Sequence, residues 1–157
     1  MEENQPQLNL HNKEEYPPMH SAEHLLNATM VKTFGCSRSR NAHIERRKSK
    51  CDYELPVCPT ETQMQQIEEK VNEIIERHLD VTTEFMTQEQ AKELVDLSKL
   101  PEDASQMLRI VRIGDYDACA CIGQHVTNTS EIGTFRIISY DYNSETQVLR
   151  MRFRLTN

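Results

Sequence analysis

Cys121-Ile-Gly-Gln-His125 sets a thiol and an imidazole four positions apart across a glycine-bearing turn. Those donors suit a borderline-soft ion such as zinc, and they amount to half of a tetrahedral site. A second pair stands far upstream in His20-Ser-Ala-Glu-His24, at the head of a helical pattern in which residues i and i+4 share one face. Together His20, His24, Cys121 and His125 offer three nitrogens and one sulfur, a set that accepts Zn2+ at roughly 2.0–2.3 Å with no further ligand. Four protein ligands close the coordination sphere, as in structural zinc sites, whereas a catalytic ion keeps a position for water or substrate.

The helical pair has another reading. His20-Ser-Ala-Glu23-His24 fits the His-x-x-Glu-His pattern of the inverzincin metallopeptidases, with Glu23 as general base. Against a small peptidase stand the short chain, which leaves little room for a peptide cleft, and the Cys-x-x-x-His pair, for which such chemistry has no use. Cys119 precedes Cys121 by two positions and lies on the same side of an extended segment; it reads as a buried thiol rather than a spare ligand. His11, His43 and His78 read as ordinary surface residues.

The elements that must position these pairs follow from periodicity and punctuation. Residues 1–19 are polar and acidic, with Pro6, Pro17 and Pro18, and are expected to form a flexible N-terminal arm ahead of one domain over 20–157. From His20 an apolar stripe of Ala22, Leu25, Leu26, Thr29, Met30 and Phe34 predicts a helix that Gly35 ends. Alternation over 41–47 and 50–55 predicts a hairpin across Lys48-Ser49. Thr60-x-x-Gln63 resembles a capping box, and Met64, Ile67, Val71, Ile74, Ile75 and Leu79 keep helical spacing behind it. Val81, Thr83 and Phe85 alternate as a strand; Thr87-x-x-Gln90 opens a short helix with Ala91, Leu94 and Val95 inward, closed by Pro101. A strand over 107–113 and the break Gly114-Asp-Tyr-Asp bring the chain to the Cys-His turn. A last hairpin over 134–142 and 146–155 turns about Asn143-Ser144, with Leu149, Met151, Phe153 and Leu155 inward and Arg150, Arg152 and Arg154 on the other face. Strands that cluster in hairpins predict an α+β fold, a mainly antiparallel sheet with packed helices, and the zinc site between the first helix and a strand-end loop. The segment Thr129-x-Glu131-Ile-Gly133 reads as support for that loop, with Gly133 at positive φ and Thr129 capping through Glu131.

Composition bounds the partners. The 157 residues suffice for one core without disulfides, and the start, Met1-Glu-Glu-Asn-Gln-Pro, has neither the basic nor the apolar region of a secretory signal. A cytoplasmic protein is expected, in which five cysteines without framework spacing are thiols or metal ligands. A net charge of −7 is the wrong sign for holding a polyanion by bulk electrostatics. The local exception is Arg38, Arg40, Arg46, Arg47, Lys48 and Lys50 against Glu45 alone, which is either a solvated hairpin or a polyanion contact.

The pairs, their order and their flanks resemble the editing domain of alanyl-tRNA synthetases and the second additional domain of threonyl-tRNA synthetases; the size is most similar to the short AlaX trans-editing proteins. The resemblance is carried by His20-Ser-Ala-Glu-His24-Leu-Leu-Asn, Cys121-Ile-Gly-Gln-His125 and Asn128-Thr-Ser-Glu-Ile-Gly133, and extends from His20 to about residue 153. It implies a hydrolase that cleaves the ester of a mischarged tRNA in trans, serine or glycine on the alanine tRNA being the usual error, with His20, His24, Cys121 and His125 as zinc ligands. A pocket with a buried polar partner for a hydroxyl favours serine over alanine; Ser39 and Asn41 are the candidates on the first hairpin. Related proteins tend to carry threonine near position 41 and Gly-Gly-Thr where this chain has Ile122-Gly123-Gln124. The Arg38 to Lys50 patch, with Arg150, Arg152 and Arg154, would meet tRNA phosphates. The competing class is a non-enzymatic, zinc-stabilised RNA-binding module on the same fold.

Overall fold

The computed structural model describes residues 16–95 and 106–156. Helix α1, Pro17–Phe34, opens behind an extended Tyr16 and carries its prolines in the first turn, where the missing N–H groups would have no intrahelical partner. The Pro-Pro pair therefore starts the helix, and the expected arm overlaps its first turn; residues 1–15 lie outside the described residues. Gly35 at φ 72° ends it, its N–H donating to Val31 O at 2.9 Å. Met19 to Met30 are buried on nearly every side, Glu23 being the exception, so α1 is the central element of the core rather than an amphipathic cover.

Two antiparallel sheets stand where one was expected. The first has the order β1-β2-β7-β6, from β1 Asn41–His43, β2 Ser49–Glu54, β6 Thr134–Asn143 and β7 Val148–Thr156. Its inner face presents Cys51, Tyr53, Phe135, Leu149, Met151 and Phe153, all buried, while β1 is shorter than the predicted 41–47. A register shift between Ile137 and Ser139 turns Ile138 outward. Helix α2, Glu61–Glu76, begins with the predicted capping box, Thr60 and Gln63 bonding each other's backbone N–H groups. It buries Met64, Ile67, Val71, Ile74 and Ile75, each contributing on the order of 1.5–3 kcal/mol.

The second sheet runs β3-β4-β5, from β3 Val81–Thr87, β4 Met107–Ile113 and β5 Asp117–Ala120. One face meets the main core through Ile113; the other holds Leu108 and Ile110 against Ala91 of helix α3, Gln88–Ala91. Thr87 and Gln90 form the second predicted capping box. Leu94 is 44% exposed, against expectation, because α3 ends at Ala91 and the inward periodicity stops with it, whereas Val95 still packs on this cluster. Pro101 lies outside the described residues. Gly114 at φ 54° makes the β4–β5 turn, and Cys121 N–H extends the ladder by donating to Arg109 O at 3.0 Å. Among the described residues no helix is long and apolar enough to cross a membrane.

Candidate metal centre

The chain brings its two donor pairs together. His20, His24, Cys121 and His125 each place a ligand atom within 4.8 Å of the others. The helix supplies two of them one turn apart, and the strand-end loop supplies the rest. That loop is tied to α1 at every step. His20 Nδ1 meets Gln124 O at 3.1 Å, Ser21 Oγ meets His125 Nδ1 at 2.9 Å, and Val126 N–H donates to the same Oγ at 3.2 Å. Arg109 Nη1 donates to Gly123 O at 2.9 Å, which fixes the loop to the sheet.

These outer bonds determine what faces inward. A carbonyl only accepts, so His20 must carry a proton on Nδ1, and its Nε2 is turned to Cys121 Sγ, 3.5 Å away. His125 Nε2 lies 3.6 Å from the same sulfur. Bond lengths of about 2.3 Å to sulfur and 2.0–2.1 Å to nitrogen, at the tetrahedral angle, separate the two donors by about 3.6 Å. The donor set and its spacing therefore fit zinc. The rings crowd at centroid distances of 4.2, 4.3 and 5.1 Å, close enough that three imidazolium charges could not coexist.

The electrostatics have the same origin. Burial pushes the Cys121 thiol up, but the bonds from His125, His20 and His24 outweigh it and bring it down to about 2, which favours the thiolate. Burial and the neighbouring His24 and His20 hold His125 down to about 4 in spite of Cys121. For His20 and His24 burial is overcome, by Cys121 for the first and by Asp117 together with Cys121 for the second, and both are raised.

Other expected residues are placed as follows. Cys119 is half-buried, its Sγ donating to Ala120 O at 3.5 Å, and burial raises it above the ordinary thiol value. Ser39 is buried: its N–H donates to Asn27 Oδ1 at 3.2 Å and its Oγ to Asn41 O at 3.3 Å. Asn41 is exposed and turns its Nδ2 to Asp52 Oδ2 at 2.9 Å. Asn41, but not Ser39, lines a cleft of about 170 Å3 together with Arg38, Arg40, Asp52 and Tyr53. Glu23, with a side chain 14% exposed, holds Oε1 3.8 Å from His20 Nε2 while Oε2 accepts from Asn27 Nδ2 at 3.4 Å.

Of the basic stretch, Arg40, Arg46, Arg47 and Lys48 are exposed, and Arg46 stacks over the Tyr16 ring at 4.6 Å. Lys50 is half-buried on the sheet. Arg38 leaves the patch altogether, since both its terminal nitrogens grip Asp117, at 2.7 and 3.2 Å. Arg150 is taken by Asp52 and Arg152 by Asp141, while Arg154 is exposed. Glu131 accepts from Thr127 at 2.6 Å, not from Thr129; Thr129 is buried and donates to Ile75 O. Gly133 has the expected positive φ, 93°.

Sequence reasoning missed Asp117 and Ser21. The signal for Asp117 was present, because alternation puts residues 117, 119 and 121 on one side of an extended segment.

A small α+β domain with a buried His3Cys donor cluster between a core helix and a strand-end loop is the class that fold and site define. Residues 108–155 match the threonyl and alanyl tRNA synthetase second additional domain. The chain is similar to the alanine–tRNA ligase of Treponema denticola, 30% identical over 134 residues, 85% of this chain and 22% of that protein. It is also similar to those of Idiomarina loihiensis and Streptococcus mutans, at 33% and 34% identity, each over 76% of this chain and 14% of the ligase. The chain is thus a homologue of alanyl-tRNA synthetases that matches the second additional domain over residues 108–155, consistent with the AlaX-type resemblance of its motifs. It spans less than a quarter of the length of these curated relatives.

Proposed function

We propose that the chain hydrolyses the ester of mischarged aminoacyl-tRNA, acting in trans in the cytoplasm on serine or glycine carried by the tRNA for alanine. Zinc would be held by His20, His24, Cys121 and His125. The observation that carries the reading is the convergence of those four donors, from pairs 101 residues apart, to within 4.8 Å of one another, with two of the histidines at the spacing from Cys121 that zinc requires.

Bound zinc supplies Lewis-acid polarisation of an ester carbonyl and lowers the pKa of water. The chain's own residues do the positioning. Arg109 and Ser21 hold the 121–126 loop in place, so the cluster is preorganised before substrate arrives. Glu23 offers a carboxylate beside the cluster to the ammonium group of an aminoacyl ester, its orientation set by Asn27. An aminoacyl ester is already activated, so placing water and rejecting the correct amino acid are the larger tasks. Ser39 and Asn41 are proposed to bear on that selectivity, a buried partner for the serine hydroxyl being left unpaired by alanine. Arg40, Arg46, Arg47, Lys48, Lys50 and Arg154 are the proposed phosphate contacts.

A closed set of four protein donors favours one second reading, a zinc-stabilised RNA-binding module without turnover. Release of serine from seryl-tRNA for alanine, beside alanyl-tRNA as control, separates the two. Serine lost with alanine spared supports editing. If zinc and tRNA bind while seryl and glycyl esters both survive, the binding module stands instead.

A further inference from the structure

We propose that Asp117, gripped by Arg38, is the positioning residue that aims His24 into the donor cluster. The inference rests on the metal reading above. His24 Nδ1 is buried and has no hydrogen-bond partner among the described residues. Asp117 Oδ2 stands 3.6 Å from it, beyond a hydrogen bond yet within ion-pair reach. The Asp117 side chain is 5% exposed and is held from behind by both nitrogens of Arg38. Three segments meet here: α1 through His24, the loop after it through Arg38, and the start of β5 through Asp117.

The other two histidines are anchored by neutral groups, Gln124 O for His20 and Ser21 Oγ for His125. At His24 the group that faces Nδ1 is an anion, whereas Glu23 lies 3.8 Å from His20 on its Nε2 side, the side turned to the cluster. A carboxylate behind Nδ1 keeps the proton on that nitrogen and leaves Nε2 as a lone-pair donor toward the cluster, and it makes the ring a stronger base toward a cation. Arg38 prevents Asp117 from turning away, because a bidentate guanidinium fixes the plane of the carboxylate. It also offsets the charge that a buried carboxylate would otherwise carry alone. Burial pushes the Asp117 carboxyl up, but His24 and Arg38 outweigh it and hold it below its usual range. A buried ion pair returns little net stability once desolvation is counted, so the arrangement is better explained by orientation than by folding energy.

Zinc affinity measured by chelator competition tests this, with urea unfolding of the metal-free protein and the absorption spectrum of the Co2+-substituted protein recorded beside it. Asp117→Asn should weaken zinc by about 10–100-fold and shift the cobalt spectrum, and Asp117→Glu should recover part of the affinity. Glu84→Gln, which breaks the exposed Arg112–Glu84 pair, should leave affinity and spectrum as they are. Where Asp117→Asn does not fold, Arg38→Lys serves in its place: it keeps the charge but cannot take both oxygens, and it too should bind zinc more weakly. A folded variant, Asp117→Asn or its substitute, with wild-type affinity and an unchanged cobalt spectrum would overturn the assignment while leaving the metal reading intact. A wild-type protein that takes up no zinc would overturn both.

Discussion

Asn27→Ala probes the polar floor beneath the donor cluster. Asn27 Oδ1 accepts from Tyr53 Oη at 2.7 Å and from Ser39 N–H at 3.2 Å, and all three residues are 3% exposed or less. Removing that oxygen deletes two bonds from buried donors, at about 1–3 kcal/mol each, an expected loss of about 2–6 kcal/mol. A domain of this size has on the order of 5–15 kcal/mol in total, so the variant should be folded but visibly weakened. Tyr53→Phe removes one donor and leaves Oδ1 paired with Ser39, which should cost about 0.5–1.5 kcal/mol. Because the two substitutions delete the same bond, the double variant should lose less than the sum. Asn27→Asp restores the acceptor but sets a second carboxylate beside Glu23, toward which Asn27 Nδ2 now donates. Urea unfolding of the metal-free proteins measures all of this. An Asn27→Ala loss under about 1 kcal/mol at an unchanged m-value, or strict additivity in the double variant, would refute the reasoning.

Three further outcomes are expected. Gly114→Ala should destabilise more than Gly35→Ala by about 1 kcal/mol in urea: both have positive φ, but at Gly114 a Cβ would stand 2.9 Å from Leu79 Cδ1, while at Gly35 nothing lies within 4 Å. The Arg150 bond holds the Asp52 carboxyl below its ordinary 3.8, so its stabilising component is present above that pH and fades as pH falls through the lower folded value; acid unfolding of Asp52→Asn should lack it. Replacing Arg46, Arg47 and Lys48 with glutamine should lower tRNA affinity at low salt and flatten the plot of log affinity against log salt by about 0.7–0.9 per lost phosphate contact.

The convergence of the four donors was legible because both of its halves are local. A His pair at i, i+4 needs only a helix, and Cys121 with His125 needs only a turn. The capping boxes at Thr60 and Thr87 and the stop at Gly35 were legible for the same reason, since each is a bond within one turn of chain. The role of Arg38 was not legible. In sequence it is one of six cations, and only the fold brings Asp117 under it. Arg150 and Arg152 were likewise read as a bare cationic face, yet their partners Asp52 and Asp141 come from the strands on either side of β7, a pairing no local pattern encodes. The N-terminal edge of α1 was misplaced because proline is a helix breaker everywhere except in the first turn, and periodicity does not say which turn is first.

His20 and Cys121 are separated by 101 positions, and the helix that carries the histidines is the most deeply packed among the described residues. Neither end of the chain can capture an ion alone with four donors. During synthesis the His pair must wait until the last third of the chain is emerging, and an ion that needs all four donors could be taken up only once the loop after β5 has docked on α1. Release of a bound ion would then need the 121–126 loop to leave α1, so its exchange rate would report the opening of that loop.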